Sequence, residues 1–144
     1  MNDLTWVKKY IGIPFEYQGS SFEGADCYGL VHLVYKEEFG IKLPSFVYSN
    51  KPTEMELWTL FMEEITGSRW TPSYEAKLGS IIILKLKGLP IHCGLVLDHT
   101  RMLHTMDFTH SCIEDFHRPQ WKNRVETFLV YKKFQKHVDD FRQD

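Results

Sequence analysis

Apolar side chains recur along the chain in two rhythms, a three-and-four spacing in the first half and short β-branched runs in the second. From about Asn2 to Ile11 the set Trp6, Val7, Tyr10 and Ile11 keeps helical spacing, and Gly12 and Pro14 end it, which predicts a short amphipathic opening helix. Phe15 to Gly24 is rich in glycine, serine and aromatic residues. A helix follows with Leu30, Val31, Val34 and Tyr35 on one stripe, Asp26 as its N-cap, Cys27 on that stripe in the first turn and an end near Gly40. Lys42-Leu43-Pro44 breaks the pattern, and an irregular aromatic stretch runs through Tyr48. Thr53 and Glu56 have capping-box spacing before Leu57, Trp58, Phe61 and Ile65, predicting a second helix up to Gly67.

Ser68 to Gly79 reads as loop. Ile81 to Leu86 is short, apolar and closed by Gly88 and Pro90, as a buried strand would be. Ile91 to Leu97 is the next strand, turning at Asp98-His99-Thr100 into Arg101 to Met106. Ser111 to Glu114 and Val125 to Tyr131 complete an antiparallel set around the loop Arg118-Pro119-Gln120-Trp121, and Lys132 to Asp144 is a polar tail. Helices first and antiparallel strands afterwards predict an α+β fold, in one domain over residues 1–144 with a helical insertion at about 51–73.

Composition narrows the function classes. A formal charge of −2 gives no electrostatic footprint for nucleic acid or an anionic membrane. Three cysteines without a CxxC pair do not make a disulfide framework. The N-terminal stretch has no long apolar core of a secretory signal and no run is long enough to span a bilayer, which predicts synthesis in a cytoplasm. No GxxxxGK[ST] or GxGxxG stretch offers a nucleotide site. Seven histidines and three cysteines supply metal donors, but CxxC, HxxxH and HExxH are absent, so no metal or cofactor is expected. Glu37 and Glu38 read as a solvated helix face.

The chemistry left is a thiol at a helix start, where unpaired N–H groups and the positive end of the macrodipole favour a thiolate. Packing of the Cys27 helix on the sheet makes His92, at the start of a strand, its natural imidazole partner, with His104 to orient that ring. Each residue also fits a plain packing role: cysteine is among the most buried residue types and a strand histidine can sit in a core. Alternation puts Cys93 on the face opposite His92, and Cys112 carries no signal. A two-residue turn at His99-Thr100 would set His92 opposite Asp107 and turn His104 away, whereas one extra loop residue restores His104; Asp107 is therefore the alternative third member.

Asp26-Cys27-Tyr28-Gly29-Leu30-Val31, His92-Cys93-Gly94-Leu95-Val96-Leu97 and Leu103-His104 resemble the NlpC/P60 family of papain-like cysteine peptidases. Trp6 to Pro14, Gly40 to Pro44, Gly88 to Pro90 and Arg118 to Trp121 look like the branch found in bacteriophage tails. The resemblance implies a cysteine helix packed on an antiparallel sheet, with Cys27 as nucleophile, His92 as base and His104 as orienting residue, and no metal. It implies cleavage of peptidoglycan stem peptides at the γ-D-glutamyl–diamino acid bond, by an enzyme at a virion tail tip among other tail proteins, without nucleic-acid or membrane partners. Phe15 stands where the family has a tyrosine near the thiol, with Tyr17 two residues on, and Tyr28 stands where serine or tryptophan is usual; with Asp26 these form the expected substrate and oxyanion environment. Two other readings fit the same chain, a tail-tip docking component with a weakened site and an intracellular thiol amidase or acyltransferase.

Overall fold

The computed structural model describes residues 4–46, 48 and 51–133. Its elements are a 3-10 helix at Thr5–Tyr10, β1 (Ser20–Ser21), β2 (Gly24–Ala25), α1 (Cys27–Phe39), α2 (Glu54–Thr66), β3 (Trp70–Ser73), β4 (Ile81–Leu86), β5 (Leu89–Val96), β6 (Arg101–His104), β7 (Cys112–Asp115), α3 (Pro119–Lys122) and β8 (Val125–Tyr131). Six strands form one antiparallel sheet in the order β3-β8-β4-β5-β6-β7. This is the expected α+β arrangement of helices on a large antiparallel sheet.

Local chemistry sets the two main helices. The Asp26 carboxylate accepts the Gly29 N–H at 2.6 Å, and Gly40 closes α1 in the left-handed region at φ 67°. Thr53 and Glu56 form the reciprocal capping box at the start of α2. Residues Tyr28 to Tyr35 are all buried, so the first two turns of α1 are enclosed on every side rather than along one stripe.

The sheet is buried on both faces, which is why β4 is apolar without alternation. Ile81, Ile83, Cys93, Leu95 and Leu103 join Leu30, Val34 and Tyr35 in the larger core, while Ile82, Leu84, Val96 and Met102 pack with Phe116 and Trp121 on the other face.

Several predicted elements differ in the structure. The opening segment is a 3-10 helix, tied to α1 by Tyr10, whose hydroxyl donates to Glu38 at 2.5 Å, and by the Lys9–Glu38 ion pair at 2.7 Å; Glu38 is thus a packing partner rather than a solvated face. The stretch 68–79 reads as loop in sequence, yet Trp70–Ser73 pairs with β8 as an edge strand, its Trp70 ring buried. Arg118-Pro119-Gln120-Trp121 enters the short helix α3, with Pro119 in its first turn and Trp121 buried. The strand after Arg101 ends at His104, before Met106. Of the polar tail, residues 134–144 lie outside the described residues, as do 47, 49 and 50 near the predicted irregular stretch. Among the described residues no helix is long and apolar enough to cross a membrane.

Candidate active site

Cys27 is the first residue of α1 and is partly exposed in a cleft of about 380 Å³. The chain reaches that position through a tight approach: the Asp26 N–H donates to the Gly19 carbonyl at 3.2 Å, and a Cβ on Gly29 would lie 1.7 Å from that same oxygen. Only glycine fits there. The Asp26 carboxyl, capping Gly29 and accepting the Gln18 N–H at 2.8 Å, is pushed up to about 6 by burial, against the pull of those bonds. Beneath the thiol sits Cys93, fully buried on the α1-facing side of β5 as alternation requires; burial, then the neighbouring Cys27 sulfur, push its thiol well up.

His92 lies on the other face of β5, paired with Leu84. It reaches the cleft because the β4–β5 register slips between Leu84 and Lys85, a bulge at which Ile91 and His92 both line the opening. Its Nε2 is 2.8 Å from His104 Nδ1, and the ring stacks on Trp121 with centroids 5.6 Å apart. Burial, then the adjacent His104, lower His92 to about 3, so it rests neutral. Among the described residues no hydrogen bond joins the Cys27 thiol to His92.

The β5–β6 connection decides which residue stands third. Leu95 pairs with Leu103 and the Leu97 N–H donates to the Arg101 carbonyl, so the loop is Asp98-His99-Thr100, three residues instead of two. Asp98 holds it by accepting the Thr100 and Arg101 N–H groups at 3.0 and 2.8 Å. With that residue added, His104 shares a face with His92, and Gly94 leaves room: a Cβ there would meet His104 Cβ at 3.2 Å. Asp107 instead accepts the Tyr17 hydroxyl at 2.5 Å across the cleft, a bond that lifts that phenol to about 12.

The remaining expected residues wall the cleft. Phe15 packs edge-on against Tyr17 at 4.9 Å. Tyr28 is buried, stacks on Phe46 at 3.8 Å and donates its hydroxyl to the Pro44 carbonyl. The opposite rim carries Lys87 and Glu54, paired at 3.0 Å.

Glu114 on β7 and Trp121 on α3 are not among the site residues expected from sequence. Glu114 Oε2 contacts His104 Nε2 and accepts the Trp121 indole N–H at 3.0 Å. Their signal is readable only with the register in hand, since Met102 opposite Glu114 and His104 opposite Cys112 place Glu114 on the histidine face. The donor atoms of His104, Cys112 and Glu114 lie within 4.8 Å of one another, a spacing compatible with a cation. The direct His104–Glu114 bond and the indole donor already satisfy that carboxylate oxygen.

Several known proteins are similar to this chain. The murein DD-endopeptidase MepS/murein LD-carboxypeptidase of Escherichia coli K12 is 22% identical over 113 residues, 78% of this chain and 53% of that protein. The chain thus spans about half the length of the curated relatives it matches. The NlpC/p60 domain of the peptidoglycan hydrolase SagA has the same fold, with a TM-score of 0.60 at 18% identity over 86% of this chain and 92% of that one. NlpC2 from Trichomonas vaginalis is similar, with a TM-score of 0.62 at 18% identity over 88% and 43%. The sheet, the capped cysteine helix and the histidine-bearing hairpin together have the papain-like architecture, and a model of the NlpC/P60 family matches residues 12–130; this chain belongs to that family.

Proposed function

We propose that this chain is a cysteine peptidase that hydrolyses peptidoglycan stem peptides, with Cys27 as nucleophile, His92 as general base and acid, and His104 as the residue that orients His92. The observation that carries the reading is the hydrogen-bonded His92–His104 pair at the edge of the cleft into which Cys27 opens. His92 rests neutral, so it is ready to accept a proton rather than already paired as imidazolium. In the reaction the Cys27 thiol turns from Cys93 toward His92 across the cleft that both line, and His92 Nδ1 takes the S–H proton as sulfur attacks the amide carbonyl. The Cys27 backbone N–H at the helix start stabilises the oxyanion. His92 then gives its proton to the leaving amine, and water, deprotonated by the same ring, cleaves the thioester and restores the thiol.

The cleft suits a short peptide bearing both charge signs. Phe15, Tyr17, Tyr28 and Phe46 offer aromatic walls, while Asp107 and the Lys87–Glu54 pair place charge at the rims. The bond we assign is γ-D-glutamyl to diaminopimelate or lysine. The name of the Escherichia coli relative favours a second reading, cleavage at D,D cross-links or of an L,D C-terminal bond. Digestion of defined muropeptides, with products weighed by mass spectrometry, separates these bonds. Cys27→Ala is expected to abolish release of stem-peptide fragments from purified peptidoglycan; release equal to the parent protein's would overturn the reading.

The finer assignment is to a bacteriophage tail tip, among other tail proteins. It is supported by the likeness of Trp6 to Pro14, Gly40 to Pro44, Gly88 to Pro90 and Arg118 to Trp121 to the tail branch. Detection of the chain in purified particles, and its absence from the free lysate proteins, is the corresponding test.

A further inference from the structure

We propose that Glu114 is a positioning residue: it sets the tautomers of His104 and His92 so that His92 presents a bare nitrogen to the thiol, an assignment that rests on the peptidase reading of Cys27 and His92. The four groups form one chain across three adjacent strands and a helix. His92 on β5 meets His104 on β6, His104 meets Glu114 on β7, and Trp121 on α3 donates to the same Glu114 oxygen.

Indole N–H can only donate, so Glu114 Oε2 acts as an acceptor. As a carboxylate Glu114 has no hydrogen to give, so His104 Nε2, on that same oxygen, carries one. In a neutral imidazole this leaves Nδ1 bare, and Nδ1 accepts from His92 Nε2–H at 2.8 Å. His92 Nδ1 is thereby left with a free lone pair, the state a general base needs. Without the carboxylate, His104 is free to carry its hydrogen on Nδ1 and to donate it to His92 Nε2, which forces the His92 hydrogen onto Nδ1 and blocks proton acceptance. The relay is held in place by burial: the His104 side chain is 2% exposed, whereas Glu114, 32% exposed, ends the chain at solvent. Trp121 covers both rings, stacked on His92 and edge-on to His104 at 5.3 Å.

Among the described residues, the titratable groups facing His104 are His92 from β5 and Cys112 and Glu114 from β7. Burial lowers His104, and Glu114 works against it by favouring a proton on that ring; a doubly protonated His104 turns an Nδ1–H on His92 Nε2 and blocks the base, so neutralising Glu114 moves the acid limb of activity to lower pH.

The test compares the parent protein with Glu114→Gln and with Trp121→Phe, which keeps a ring but removes the donor. Three quantities are read: kcat and KM on muropeptides against pH, the rate of Cys27 alkylation by iodoacetamide, and the ring-nitrogen NMR shifts of 15N-histidine-labelled protein. Glu114→Gln is expected to lower kcat about 10- to 100-fold with KM within twofold, to slow alkylation, to move the acid limb down and to mix the His104 tautomers. Trp121→Phe should give the same changes in smaller measure, and it carries the test if Glu114→Gln does not fold. Parent-like kcat with unchanged nitrogen shifts in the folded variants would overturn the assignment. Alkylation and NMR need no substrate, so a protein that cleaves no muropeptide yet shows the Nε2-protonated His104 fails the peptidoglycan reading and keeps this one.

Discussion

His92 couples the site to the stability of the fold. Its imidazole sits near 3 when folded and near 6.5 when unfolded, so the unfolded chain binds more protons between those values. The stability it contributes is complete above about pH 6.5 and is lost as pH falls toward 3. Asp26 works in the opposite sense: raised to about 6 by burial, it stabilises below its unfolded value and loses that contribution as pH rises through 6. Urea unfolding at pH 7 and pH 4.5 should therefore show a smaller acid loss for His92→Gln than for the parent protein, with an equal loss in both arguing against a buried neutral His92. Activity should likewise persist below the ordinary imidazole range. Cys27, His92 and His104 were legible as candidates because thiols and imidazoles are few and their chemistry is distinctive. Glu114 was not, because one glutamate among 19 acidic residues gains meaning only from its neighbours.

At the scale of elements, caps and turns carried the most information. Asp26, Gly40 and the Thr53–Glu56 box each act on backbone groups within a few residues, so their spacing alone predicts the helix ends. Gly29 is different: it is required because the Gly19 carbonyl crosses α1 at its first turn. Gly29→Ala is expected to break the Asp26–Gly19 hydrogen bond and shift Cys27, lowering stability by about 2 kcal/mol or more and activity with it; an unchanged melting temperature would refute this close approach. The β5–β6 loop shows how little separates two sites. One residue more or less in Asp98-His99-Thr100 exchanges His104 for the opposite face, and the side-chain acceptor of Asp98 selects the three-residue form. Trp70–Ser73 escaped prediction because a four-residue edge strand containing Pro72 has the local composition of a loop and exists through pairing with β8.

The whole molecule is a sheet sandwiched between two cores, and the site lies where the two meet. Cys27 comes from the α1 side and His92 from the opposite face, and both line the cleft at the end of the strand where the β4–β5 bulge bends the chain. Both faces should matter equally for stability: Ile82→Ala and Ile83→Ala, each fully or nearly fully buried, are expected to cost about 2–5 kcal/mol apiece in chemical denaturation. A near-neutral Ile82→Ala would show that the second core is dispensable. The family, the α+β class, the capped helices and the candidacy of Cys27 and His92 follow from sequence, because they depend on short-range spacing and on residue types that few other roles require. Tertiary structure alone decided that His104 rather than Asp107 meets His92, that the Cys27 thiol rests against Cys93, and that Glu114 and Trp121 complete the relay. These contacts join residues brought together by strand register and a bulge, and a shift of one position would have sent the strand side chains among them to the other face.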